Sequence, residues 1–202
     1  MPSLGQHPEA KILRLQLRQN IVLKRLEPGQ WRELEPVLEV EDYPKGELLE
    51  HQGDRSMDQY FIIEGILKRV VSNAQGREMI LRFAAESDID TSYAAWRLKT
   101  PIPYSIRAVT RVRAAKLSMQ HWVQFLERHA AVKSTFEFEI MKLMSEVMAH
   151  TITLHLLDAS GRVQRFLRKQ AALAERLPKK ELASYLNLSP ETLSRLKRDG
   201  KI

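Results

Sequence analysis

Residues 179–198, KKELASYLNLSPETLSRLKR, hold two short amphipathic segments on either side of a turn. Leu182, Ala183 and Leu186 fall on one face of the first, and Leu188, Leu193 and Leu196 on one face of the second, which predicts two helices sharing a small core. Ala183 is small where the helices must cross closely. Asn187 falls at the turn, where a positive φ is wanted and Asn is the best tolerated residue after Gly. Ser189-Pro190-Glu191 then supplies an N-cap, a proline in the first helical turn and an acidic residue near the positive helix end. The pattern reads as a helix-turn-helix.

Its second helix turns Glu191, Thr192, Ser194, Arg195, Lys197 and Arg198 outward. An arginine can pair bidentately with O6 and N7 of guanine, a glutamate can accept from the N4 amine of cytosine, and Ser or Thr can reach a base edge or a phosphate. With Ser189 at the cap and Lys179 and Lys180 on the preceding helix, these residues form a candidate DNA-binding set. The plainer alternative is the solvated face of an ordinary helical hairpin. Cap, turn residue, crossing alanine and outward polar set together favour double-stranded DNA.

The charge distribution points the same way. The chain of 202 residues carries a net charge of +7, and residues 158–202 hold eleven Lys/Arg against five Asp/Glu, so nearly all the excess lies in this segment. A concentrated basic segment gains affinity by releasing phosphate counterions, which makes binding fall steeply with salt. Membrane binding would need an apolar face beside the charge. The absence of cysteine excludes a disulfide framework, thiol redox sensing and thiolate-held iron–sulfur or zinc sites. The N-terminal residues lack the uncharged apolar core of a signal peptide, and no apolar run is long enough to span a bilayer, so a soluble cytoplasmic protein is expected.

Upstream, residues 10–40 carry helical periodicity interrupted at Pro28-Gly29 and ending near Val40. From Tyr43 to Leu117 the pattern becomes short apolar runs such as QYFIIEGILKRVV and REMILRFA, separated by Gly46, Gly53, Gly65 and the Asn73–Gly76 turn, which suits an antiparallel β-barrel or roll. From His121 through Leu157 helix formers return without Gly or Pro. Ile140, Leu143, Met144, Val147, Thr151, Leu154 and Leu157, spaced by threes and fours, predict a long helix whose apolar stripe faces the roll, a second subunit or both. Asp158-Ala159-Ser160-Gly161 breaks it, with Asp158 or Ser160 available as a cap, and makes a candidate hinge at Asp158 and Gly161.

From Tyr43 onward the chain resembles the catabolite activator/FNR (Crp/Fnr) family of bacterial transcription regulators. The residues that carry the resemblance are Pro44-Lys45-Gly46, His51-Gln52-Gly53-Asp54, Tyr60–Gly65, Gly76–Leu81, Asp158–Val163 and the helix-turn-helix. The resemblance implies an α+β architecture with an N-terminal antiparallel, cyclic-nucleotide-binding-like β-roll, a long dimerisation helix and a C-terminal helical DNA-binding module. The expected domains are residues 1–119, 120–157 and 158–202. It further implies that Glu191, Ser194 and Arg195 match the Glu-x-x-Ser-Arg arrangement of the FNR branch, whose members favour TTGA-like half-sites. Partners implied are DNA, a second copy of the chain and RNA polymerase. The effector is unknown, and the implied mechanism is rotation of the modules about Asp158–Gly161.

Two departures stand out. Family members that bind cyclic AMP hold its phosphate with a Gly-Glu pair and an Arg-Ser pair. Here Thr91-Ser92 and Ile102-Pro103 stand in those places, and Asp88 and Asp90 would repel a phosphate with no guanidinium positioned to offset them, so cyclic AMP is not the expected ligand. The second is the stretch after the recognition helix, Asp199–Ile202, where typical members continue into a β-wing; a short, wingless subgroup is the expectation. An alternative effector pocket would use Met79, Tyr93, Trp96, Tyr104 and Arg107, although such aromatics more often fill a core. His51, His121, His129, His150 and His155 are candidate haem ligands, but surface or core roles outweigh haem ligation, so no cofactor and no metal is expected. No catalytic motif is present, and an enzyme is not expected. The rival reading is a sensor or scaffold whose helix-turn-helix contacts protein, which would not need Lys179, Lys180, Arg195, Lys197 and Arg198 together.

Overall fold

Strand β3 (Asp58–Glu64) is apolar at consecutive positions because both of its faces are buried. Tyr60 and Ile62 point into a core between two sheets, whereas Phe61 and Ile63 point into a second core beneath helices. The computed structural model, which describes residues 3–202, builds the rest of the roll around this strand. The other strands are β1 (Glu39–Tyr43), β2 (Leu48–Glu50), β4 (Leu67–Ser72), β5 (Glu78–Ala84), β6 (Ile89–Thr91), β7 (Ser105–Ala108) and β8 (Val112–Ser118). They form two antiparallel four-stranded sheets of order β1-β8-β3-β6 and β2-β7-β4-β5. Gly65 makes the turn from β3 to β4 at φ 93°, and a Cβ there would lie 2.2 Å from the Arg111 carbonyl oxygen, so only glycine fits.

The outer face of the first sheet is covered by α1 (Ala10–Leu17), α2 (Pro28–Leu34), α4 (Met119–Arg128) and the start of α5 (Ala130–Leu156). Trp122 anchors this core, with Phe61 and Phe136 edge-on at 5.3 Å and Phe125 stacked at 5.5 Å. A short helix, α3 (Tyr93–Leu98), follows β6.

The chain departs from expectation at two boundaries. Residues 39–43 form a strand paired with β8, although the helical periodicity runs to Val40; the two faces of the strand are both used, Val40 entering the core beneath the helices and Tyr43 the core between the sheets. The expected helix 120–157 is two helices, broken at His129 (φ −128°, ψ 77°). His129 Nε2 meets Glu33 Oε2 at 2.6 Å and Arg128 Nε donates to Glu33 Oε1 at 2.7 Å, so an ion-pair cluster with α2 sits at a corner that no Gly or Pro announces.

The apolar stripe of α5 divides between the roll and solvent. Ile140 and Leu143 are buried within their own subunit, Ile140 in the core with Phe136 and Trp122. Val147 and Leu154 are half-buried, and Met144 and Thr151 are exposed. The large apolar side chains left in solvent are Phe138, Met141, Met144, Met148, Ile152 and Leu156, on the opposite side of the helix.

Candidate nucleic-acid interface

Three helices form the C-terminal module: α6 (Ala159–Arg176), interrupted at Gln170, α7 (Lys179–Tyr185) and α8 (Pro190–Arg198). Asp158 caps α6, its Oδ1 accepting from Gly161 N at 2.8 Å, and a Cβ on Gly161 would crowd that oxygen at 3.0 Å. Between α7 and α8, Asn187 adopts φ 53°, and Ser189 Oγ accepts from Thr192 N at 3.1 Å with Pro190 at the first helical position. Ala183, fully buried, sits among Leu182, Leu186, Leu193 and Leu196, the shared core that the spacing required.

Burying Leu193 and Leu196 leaves Glu191, Arg195 and Arg198 exposed at spacings of four and three along α8, with Lys197 exposed beside them. The Glu191 carboxyl is held below its usual pKa by a backbone amide at the start of α8, then by Ser189 and Lys179, so it stays ionised as an acceptor. The other expected contacts divide. Ser189 Oγ is occupied as the cap, and Ser194 Oγ donates to the Pro190 carbonyl at 2.8 Å while accepting from Lys179 Nζ. Lys179, Ser194, Lys197 and Arg198 border an apolar groove between α6 and α8 that contains Leu167 and Leu193. Thr192 is half-buried, and Lys180 is exposed on α7.

The module is docked on the roll. Tyr185 lies 5.0 Å from Phe83 of β5, Lys68 Nζ donates to Glu181 Oε2 at 2.8 Å, and Arg176 binds Glu86 with two nitrogens at 2.6 and 2.7 Å. Burial tends to raise the Glu86 pKa, but the Arg176 guanidinium and the Gly65 amide hold the carboxyl below its ordinary value.

The five residues read as an effector pocket do not share a cavity. Tyr93 OH donates to Glu137 of α5 at 2.9 Å, Trp96 borders a small depression with Met57 and Thr100, and Tyr104 OH donates to the Thr91 carbonyl at 2.7 Å. Met79 is half-exposed, and Arg107 pairs with Glu78 at 2.9 Å on the other sheet. The alternation of β7 buries Ile106 and turns Arg107 away from the aromatics of α3.

Near β6 the charges are the reverse of expectation. Asp88 and Asp90 do have guanidinium partners: Arg69 Nε donates to Asp90 Oδ1 at 2.6 Å, and Arg82 reaches Asp88 at 2.5 Å and Asp90 at 3.5 Å. Burial lowers the pKa of Arg69, but Asp90 beside it more than compensates and holds it above its usual value. Next to this cluster, Ser92 Oγ donates to Glu50 Oε2 at 2.5 Å, and burial raises the Glu50 carboxyl to about 7. One sequence signal for these groups existed. Lys68 and Arg69 are adjacent in an apolar strand, so they must leave on opposite faces, and one of them must enter the core.

The candidate haem histidines lie on separate elements: His51 exposed after β2, His121 beside Ser118, His129 on Glu33, His150 against Tyr185 and His155 exposed near the end of α5. Among the described residues no group of three His, Cys, Asp or Glu is placed to hold a metal ion, and no helix is long and apolar enough to cross a membrane.

The chain thus joins an antiparallel roll through a long helix to a helix-turn-helix module. Residues 40–129 match the cyclic nucleotide-binding domain family. The chain is 20% identical over 167 residues to the cAMP-activated global transcriptional regulator CRP of Escherichia coli O6:H1, covering 78% of this chain and 80% of CRP. It is 23% identical over 201 residues to the nitrogen fixation regulation protein FixK of Bradyrhizobium diazoefficiens, covering 92% and 83%. The c-di-GMP-responsive global regulator CLP of Xanthomonas campestris has a similar fold, with TM-score 0.71 at 18% identity over 86% of this chain and 93% of CLP. The chain is thus similar to regulators of the Crp/Fnr type over most of its length, and its roll matches the cyclic nucleotide-binding domain family.

Proposed function

We propose that this regulator is a homodimer that reads a palindromic operator through α8 and does not respond to cyclic AMP. The observation that carries the DNA reading is the exposed row Glu191, Arg195 and Arg198 on a capped helix, in a segment with six more cations than anions. Arg195 is the base-reading group and Lys197 a phosphate contact. The Glu-x-x-Ser-Arg arrangement at Glu191, Ser194 and Arg195 favours TTGA-like half-sites. The exposed row Phe138, Met141, Met148 and Ile152 supports pairing of two copies along α5, which sets two recognition helices about one DNA turn apart.

Independence from cyclic AMP is supported by the roll interior. Asp90 is fully buried and engages Arg69 and Arg82, so the arginines near β6 already have internal anions. RNA polymerase is the partner such a regulator would recruit or block in the cytoplasm, and no catalytic role is proposed.

Fluorescence anisotropy with a labelled duplex carrying two inverted TTGA half-sites, and with a scrambled duplex, tests this reading. Preferential binding to the palindrome, weakening by orders of magnitude between about 50 and about 200 mM salt, is expected. The rival protein-contact reading has one observation in its favour, the apolar groove bordered by Lys179, Lys197 and Arg198. Equal, weak binding to both duplexes would favour it.

A further inference from the structure

A cavity of about 360 Å³ opens where the roll, α5 and the helix-turn-helix module meet. Its basic wall comes from α6. Arg162, Arg165 and Lys169 follow one another at spacings of three and four, so they share one face of the helix, and that face turns toward β5 and α5. Arg195 of the recognition helix is not part of it.

The charge balance of this cavity is incomplete. Its lining holds four Arg or Lys side chains and one carboxylate, Glu146. Arg82 is satisfied by Asp88 and Asp90 on the roll. Arg162 donates to the backbone carbonyls of Leu157 and Leu186, which fix its position and leave its charge uncompensated. Arg165 and Lys169 therefore face a half-enclosed space with Glu146 as the single carboxylate lining it. Like charges converging where water is partly excluded repel one another, and a bound anion relieves that repulsion.

Shape and lining narrow the anion. Phe83 and the stacked rings of His150 and Tyr185 supply flat aromatic surface beside the cations. The volume falls within the roughly 300–1,000 Å³ of small-molecule sites and far exceeds what a bare inorganic ion fills. Guanidinium forks match phosphate oxygens in geometry as well as charge. We propose that this junction cavity binds a phosphate ester carrying a planar ring, the chemical class of a nucleoside monophosphate, with the phosphate on Arg165 and Lys169 and the ring against Phe83 and His150. The site is separate from the roll interior around Asp90, and the proposal does not depend on the DNA reading.

The test is isothermal titration of the full chain with AMP, GMP, CMP and UMP, with inorganic phosphate and adenosine as the two partial ligands. Saturable binding of at least one monophosphate at one site per chain is expected, with each partial ligand weaker. The double variant R165Q/K169Q should bind about tenfold more weakly or worse, because both charge-assisted contacts are lost. R111Q, which alters an exposed cation outside the cavity lining, should bind as the unaltered chain does. A second readout needs no variant: the bound monophosphate should slow amide hydrogen exchange in residues 162–170 and in β5. No saturable binding of any monophosphate up to about 1 mM, a limit equivalent to about 4 kcal/mol of affinity, overturns the proposal. So does binding that R165Q/K169Q leaves unchanged, or protection confined to the interior of the roll.

Discussion

His150 of α5 lies flat on Tyr185 of α7, ring centroids 3.7 Å apart and planes 3° from parallel. The stack joins the long helix to the helix-turn-helix, and Phe83 and Phe166 pack against the same tyrosine at 5.0 and 5.5 Å. Burial lowers the His150 pKa from 6.5 to about 4. The imidazole is therefore neutral in the docked protein at pH 7, while in the unfolded chain it protonates below about 6.5. Stability from this group is present above pH 6.5 and is lost as the pH falls toward 4, because there the unfolded chain binds the extra proton. Allowing for partial exposure, the loss is about 1–2 kcal/mol. Urea melts at pH 7 and pH 4.5 should show it, and His150→Phe, which keeps a ring but cannot titrate, should remove that part of the pH dependence.

Glu50 has the opposite sign. Burial raises its carboxyl to about 7, so the folded protein holds a proton that the unfolded chain releases near 4.5. Its contribution is complete below pH 4.5 and is lost as the pH rises through 7. Glu50→Gln, which can keep the hydrogen bonds to the Asp58 amide and Ser92, should raise stability at pH 8 by about 1–3 kcal/mol and leave it little changed at pH 5. Denaturant midpoints at the two pH values decide it.

Asp90 is fully buried between Arg69 and Arg82. Asp90→Asn leaves a buried guanidinium without its counter-charge and should cost about 3–5 kcal/mol. A melting temperature within a degree or two of the unaltered protein would show that the pair is dispensable.

The two sides of α5 separate folding from association. Leu143→Ala empties a buried position and should destabilise the subunit by about 2–5 kcal/mol. Met148→Glu places charge on a side chain that is 64% exposed within the subunit. It should leave the subunit fold intact and shift a dimer to monomer in sedimentation equilibrium. A monomeric unaltered protein would remove the proposed seam.

The local chemistry of the C-terminal module was legible because its signals are short-range. A cap at Ser189 or Asp158, a left-handed residue at Asn187 and a proline at the start of α8 each depend on neighbours within a few positions. The roll was legible from strand period and turn glycines. What escaped was set by distant partners. His129 breaks a continuous helical pattern where Glu33 lies beside it, and the Asp90 carboxylate is paired because strands β4 and β5 bring Arg69 and Arg82 to it. Which partner the stripe of α5 faces stayed open for a related reason. The apolar residues of α5 lie on more than one side, and spacing alone does not tell which side the roll takes.

The reading of α8 rests on Arg195 and Lys197 acting differently. Duplexes selected from random DNA by the unaltered chain and by Arg195→Ala and Lys197→Ala variants, at two salt concentrations, test it most directly. The unaltered chain should select a two-fold palindrome with half-sites about one helical turn apart. Arg195→Ala should lose about 1–3 kcal/mol and its preference at one base pair per half-site, while Lys197→Ala should weaken every sequence alike. Recovery of no common sequence, or of the same sequence with the same affinity from all three proteins, would contradict DNA reading by this helix.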